Sequence, residues 1–102
     1  VSGGDINPYL MLATVLGAAL IGMEDGSTPP PPSEGNIYEI EGLPQLAGSW
    51  AEAIDLFENS PLIARILPPM AIRNLVMTKR QELAGFAEKP AEGHWLSWLE
   101  AV

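Results

Sequence analysis

An all-α fold of about four to five helices, joined by proline- and glycine-rich loops, is what this 102-residue chain predicts. Three observations carry that expectation. Residues 8–23 hold no charged side chain and lie between an Asn7-Pro8 start and the glycines at 22 and 26. Ser49 and Glu52 have the spacing of a capping box, and Ile72, Leu75, Val76, Leu83 and Phe86 recur at helical period farther on.

The first helix begins where asparagine can cap the free backbone donors, proline suits the opening turn, and Asp5 lies near the positive end of the helix dipole. With no polar face, it reads as a helix buried on nearly all sides. The run between Asp5 and Glu24 falls short of the roughly 20 apolar residues a membrane span needs, and Gly17 weakens it further, so insertion is not expected. Gly26-Ser27-Thr28 and the four prolines 29–32 then impose an extended connecting loop, because proline removes the backbone donor and fixes φ. Four prolines in a connection read as a stiff spacer rather than a recognition motif. Ile37, Tyr38 and Ile40 alternate with acids without clean periodicity, which predicts an ordered loop with a short extended stretch, closed at Gly42-Leu43-Pro44.

A second helix is expected over residues 50–58, with Trp50, Ala53, Ile54 and Phe57 inward. Asn59-Ser60-Pro61 ends it and caps a short third helix through Leu62, Ile63, Ile66 and Leu67. Pro68-Pro69 breaks the chain again before the longest amphipathic stretch, residues 69–88, in which Arg73, Lys79 and Arg80 are expected to face outward. Lys89-Pro90 stops it. A last short helix should bring Trp95, Trp98 and Leu99 to one side, where the two tryptophans need somewhere to dock.

Composition narrows the function. Thirteen acidic and five basic side chains give a formal charge of −8, which repels phosphate backbones and excludes nucleic acid as a partner. The absence of cysteine excludes disulfides, thiolate metal sites and cysteine nucleophiles, and suits the cytoplasm. Charged residues amount to only 18%, below the usual quarter, so apolar faces are expected to meet a partner. The opening Val1-Ser2-Gly3-Gly4-Asp5 has neither an initiator methionine nor the basic stretch of a signal peptide and reads as a cloned or proteolytic boundary.

No catalytic constellation emerges from the residues themselves. Glu24 and Asp25 are adjacent at a helix end, Glu39 and Glu41 are one residue apart in a loop, and a solvated surface accounts for each pair. His94 has no acidic orienter nearby in sequence and reads as a packed or surface histidine. There is no glycine-rich loop of phosphate-cradling spacing and no nucleophile paired with a base.

Gly3-Gly4-Asp5-Ile6-Asn7-Pro8-Tyr9-Leu10 resembles the segment of glutamine synthetases in which a small-residue turn leads through Asn-Pro-Tyr into a long helix ending at glycine. Later motifs keep the family's order: Glu34-Gly35-Asn36-Ile37-Tyr38, then Leu43-Pro44 with Ser49, Ala53 and Phe57, then the helix holding Lys79 and Glu82. Glu34-Gly35-Asn36 and Phe57-Glu58-Asn59-Ser60 are similar to the gamma-glutamylpolyamine synthetase branch.

The resemblance implies that residues 1–102 form the helical C-terminal segment of a glutamine synthetase catalytic domain. It implies a parent ligase in which ATP phosphorylates the side-chain carboxylate of glutamate and ammonia or an amine attacks the acyl phosphate, with magnesium or manganese neutralising charge. The family's metal-binding glutamates, ATP-contacting residues and phosphate-binding arginines lie upstream of Val1. No catalytic, cofactor-binding or metal-ligating residue is therefore assigned to this chain, which by itself is expected to be structural. Tyr38 matches the tyrosine that bacterial ammonia-using enzymes can carry adenylylated; the surroundings there usually read Asn-Leu-Tyr-Asp-Leu-Pro, against Asn36-Ile37-Tyr38-Glu39-Ile40 here, with proline at Pro44. Trp95 and Trp98 are the expected subunit-packing anchors in a ring oligomer. The implied partners are the remainder of the ligase and neighbouring subunits, and the chain alone is expected to self-associate. The other class of function left open is a free-standing helical module that binds a protein or membrane surface.

Overall fold

In a computed structural model of the chain, which describes residues 6–98 and side chains as far as His94, the element order is four α-helices and two 3-10 turns. The helices are α1 (Pro8–Glu24), α2 (Trp50–Glu58), α3 (Pro61–Ile66) and α4 (Pro69–Ala87), and the turns are Ile37–Glu39 and Ala91–Trp98. The described residues contain no strand, so the all-α expectation holds.

Each helix starts where local chemistry satisfies its free donors. Asn7 Oδ1 accepts from the N–H groups of Tyr9 at 3.0 Å and Leu10 at 3.2 Å, and Pro8 occupies the first turn, where its missing N–H costs nothing. The part-buried hydroxyl of Thr14 in α1 donates back to the Leu10 carbonyl at 2.9 Å, so the packed side of this apolar helix strands no hydroxyl there. At the other end Gly26 adopts φ 61°, Ser27 N–H reaches Gly22 O at 2.9 Å and Gly26 N–H reaches Met23 O at 3.3 Å. These paired bonds are a Schellman closure, and the helix passes through Gly22 to stop at Gly26.

Ser49 Oγ accepts from Glu52 N–H at 3.2 Å, as the capping box requires, while the Glu52 carboxylate reaches Gly48 N–H at 2.8 Å rather than that of Ser49. Ser60 Oγ caps α3 through Ile63 N–H at 3.3 Å. Two expectations change. The segment around Tyr38 is a 3-10 turn rather than extended, because Asn36 Oδ1 accepts from Tyr38 N–H at 3.2 Å and Asn36 Nδ2 donates to Glu39 at 2.8 Å, folding the backbone back on itself. The last element, Ala91–Trp98, is also a 3-10 helix.

α2 packs across α4, and α3 packs on both α1 and α4. The buried apolar side chains are Ile54 of α2, 6% exposed, and Val76 of α4, 3% exposed, with Trp50, Phe57, Ile72, Leu75, Leu83 and Phe86 half-buried or nearly so around them. Trp50 meets Phe86 edge to face at 5.5 Å between centroids, joining the start of α2 to the end of α4. Ala53, expected inward, stays exposed. So does much of α1: no residue of that helix is buried, contrary to the expectation of enclosure on nearly all sides, because only α3 and the edge of α2 and α4 lie against it. The radius of gyration is 16.8 Å, against about 13 Å for a compact domain of 100 residues. Accessible surface is 8630 Å², well above the roughly 5,600 Å² that a compact monomer of 10.9 kDa exposes.

Candidate functional site

The charged residues singled out in sequence are put to use between helices. Arg65, at the end of α3, donates to both carboxylate oxygens of Asp25, at 2.6 and 3.1 Å, and lies 3.7 Å from Glu24. This fork fastens the end of α1 to the end of α3. The hydrogen bond from Arg65 holds the Asp25 carboxyl below its ordinary value and raises the guanidinium in turn. Arg80 of α4 likewise reaches Asp55 at 2.9 Å and Glu58 at 2.5 Å, so an arginine expected to face solvent bridges α4 to the last turn of α2. Its guanidinium is raised, first by Asp55 and then by Glu58. Lys79 pairs with Glu82 along α4 at 2.7 Å. Neither inter-helix bridge was marked in the sequence, where Arg65 stands forty residues from Asp25, and Arg80 stands 25 from Asp55 and 22 from Glu58.

Glu39 serves the Asn36 cap rather than pairing with Glu41. His94 is packed, with its ring edge-on to Phe86 at 5.2 Å and Nε2 3.0 Å from the Lys89 carbonyl oxygen. Tyr38 projects from its turn 99% exposed. The side chains of Trp95 and Trp98 lie outside the described residues.

A groove of about 630 Å³ runs between the start of α1 and the α2–α4 pair. Leu10, Met11, Trp50, Phe57, Leu67 and Leu75 give it apolar walls, with Asn7, Thr14 and Lys79 supplying its polar points. Sequence did not foresee it, since its walls come from three separate helices and the link between α3 and α4. Beside it, the outer side of α1 carries Tyr9, Leu12, Leu16, Leu20 and Met23, each more than half exposed.

Among the described residues no three carboxylate or imidazole groups gather where a metal ion could sit, and Arg65 and Arg80 are each turned to carboxylates. No helix among these residues is long and apolar enough to cross a membrane. The arrangement supports packing: apolar faces held in fixed relation by two arginine bridges.

A family model described as "Glutamine synthetase, catalytic domain" matches residues 1–96. The chain is 44% identical over 57 residues to a glutamine synthetase of Aquifex aeolicus, covering 51% of this chain and 12% of that protein. It is 33% identical over 84 residues to a gamma-glutamylethanolamide synthetase of Streptomyces coelicolor, covering 82% and 18%. A glutamate–isopropylamine ligase of Pseudomonas sp is 33% identical over 85 residues, covering 81% and 18%. The chain thus spans less than a fifth of the length of these relatives. No solved structure matches it. With residues 1–96 matched, the chain belongs to the glutamine synthetase catalytic-domain family.

Proposed function

We propose that these helices are the C-terminal buttress of a cytoplasmic ATP-dependent carbon–nitrogen ligase, which forms an amide at the side-chain carboxylate of glutamate with ammonia or an amine. The observation that carries this reading is openness: a radius of gyration of 16.8 Å and an α1 with no buried residue support a role in which the apolar sides press against further protein. The relatives' names include glutamine synthetase, gamma-glutamylethanolamide synthetase and glutamate–isopropylamine ligase, which supports ammonia or an amine as the nucleophile. The chain's own part is packing and subunit contact. ATP and its magnesium or manganese are held by the remainder of the ligase, where the metal neutralises phosphate charge.

The source gene upstream of Val1 tests the reading. A continuous frame encoding metal-binding glutamates and an arginine just before Val1 is expected; a start codon at that point would favour the free-standing interaction module. Calorimetry adds a second check, because micromolar binding of magnesium-ATP to this chain alone would contradict a purely structural role. In the intact ligase, Trp98→Ala is expected to weaken stacking of subunit rings, read as a lower oligomer mass. Tyr38, fully open to a modifying enzyme, is the regulatory position of this reading. Incubation with an adenylyltransferase and ATP should add a nucleotide mass to Tyr38, and its absence there would remove the regulatory role.

A further inference from the structure

Asp25 is followed by Gly26, and no other aspartate or asparagine of the chain precedes a glycine. That order has a chemical consequence. A backbone nitrogen can attack the side-chain carboxyl of the residue before it and close a five-membered ring, and a glycine has no side chain to shield its nitrogen. Beside Gly26 the space is open: a Cβ built on it would meet nothing within 4 Å. Both residues are exposed to the water that the reaction exchanges.

The fold opposes that closure. Arg65 Nη1 and Nη2 donate to the two carboxylate oxygens at 2.6 and 3.1 Å, which holds the side chain toward α3 instead of over its own backbone. The same hydrogen bonds keep the carboxyl ionised, and a carboxylate has no hydroxyl to lose. Backbone geometry adds to this. With ψ at −5° the Gly26 nitrogen eclipses the Asp25 nitrogen, whereas a planar ring needs it eclipsed with Cβ. Gly26 N–H is engaged with Met23 O at 3.3 Å, and Ser27 N–H, bonded to Gly22 O at 2.9 Å, fixes the same turn.

We propose that the Asp25–Gly26 peptide is a site of succinimide and isoaspartate formation, kept closed by Arg65 and by the turn that ends α1. The Gly26 nitrogen bonds to Asp25 Cγ, the Cγ–OH bond breaks, and the amide proton leaves with that hydroxyl as water. Water then opens the ring. Cleavage between nitrogen and Cγ restores aspartate, while cleavage between nitrogen and the Asp25 backbone carbonyl carbon gives isoaspartate, whose chain runs through Cβ and Cγ. One water leaves and one returns, so the mass is unchanged and no other reactant is needed. The product has an extra methylene in its backbone where the Gly26 and Ser27 hydrogen bonds close α1, and its free carboxylate sits directly on Cα, drawn back from Arg65. Isomerisation thus unfastens the end of α1 from α3. Asp25, Gly26 and Arg65 all belong to this chain, so the device is independent of the ligase reading.

The test is accumulation of isoaspartate at residue 25 during warm incubation in mildly acid buffer kept above pH 3.8, where the bridge persists. Methyl transfer from radiolabelled S-adenosylmethionine by an isoaspartyl methyltransferase measures the product, and peptide mapping places it. A peptide of residues 20–30, which has no Arg65, should isomerise fastest and the native chain slowest. Arg65→Gln should isomerise roughly 5-fold faster than the native chain, the scale that a half-exposed arginine–carboxylate fork supports. Arg80→Gln removes the other inter-helix bridge and should leave the rate at residue 25 unchanged, which separates local protection from general loosening. High salt gives the same reading without a substitution, because it screens the Arg65 pair and should speed the native chain toward the variant while helix content, read by circular dichroism, is retained. Equal rates in the native chain and the peptide, equal rates in the native chain and Arg65→Gln, or a native rate indifferent to salt would overturn the proposal.

Discussion

Gly17 of α1 faces Ile66 of α3 so closely that a Cβ built on the glycine would stand 2.6 Å from Ile66 Cγ2 and 2.9 Å from Cγ1. Those are the branch atoms of a stiff side chain, not a flexible tip. The weak point of α1 as a helix is therefore the point at which it can touch the rest of the fold.

Two effects oppose each other in Gly17→Ala. Helix propensity favours alanine by up to ~1 kcal/mol, while forcing a methyl group into this contact costs about 1–3 kcal/mol. The second should win. Chemical denaturation should show a net loss of roughly 1 kcal/mol or more, and a gain would mean that α3 moves aside without cost.

Ser49→Ala removes the oxygen that accepts from Glu52 N–H and leaves that donor to solvent. A loss of about 1 kcal/mol is expected, with the start of α2 fraying first. Amide exchange at Glu52 should accelerate more than exchange near Glu58.

Val76→Ala cuts into the most enclosed side chain of α4, 3% exposed between α2 and α4. Loss of the two methyl groups and the void they leave should cost about 2 kcal/mol. Denaturant titration should show an earlier midpoint with an unchanged slope.

Acid should release the bridge between α1 and α3. The hydrogen bond from Arg65 depresses the Asp25 carboxyl below its ordinary 3.8, so the folded state holds its proton less tightly than the unfolded state. The stabilisation is thus fully present above that ordinary value and is lost as pH falls through the depressed one. Melting midpoints of the native chain and Arg65→Gln should differ at neutral pH and converge below pH 3.8. High salt should narrow the neutral-pH difference too, because both side chains are about half exposed.

Much of the fold was written in short stretches of sequence. Asn7-Pro8, Ser49 with Glu52, Ser60-Pro61 and Pro68-Pro69 mark helix starts because each start is decided by hydrogen bonds and φ restrictions spanning a few residues. The Asn36 turn was missed although it is equally local: the residue pattern offered no periodicity, and only the cap geometry reveals it. The candidate surfaces were harder. The uncharged span of α1 announced an apolar helix, yet with hydrophobic residues all round it gave no sign of which side would be covered.

By itself, then, the sequence determined the all-helical class, the helix boundaries and the family, because caps, prolines, periodicity and ordered motifs are properties of neighbours along the chain. Only the tertiary structure decided that Arg65 would meet Asp25, that Arg80 would join α4 to α2, and that Leu16 would face outward while Gly17 faced Ile66. Those outcomes depend on which helices lie side by side, and residues forty apart in sequence carry no mark of their meeting until packing brings them together.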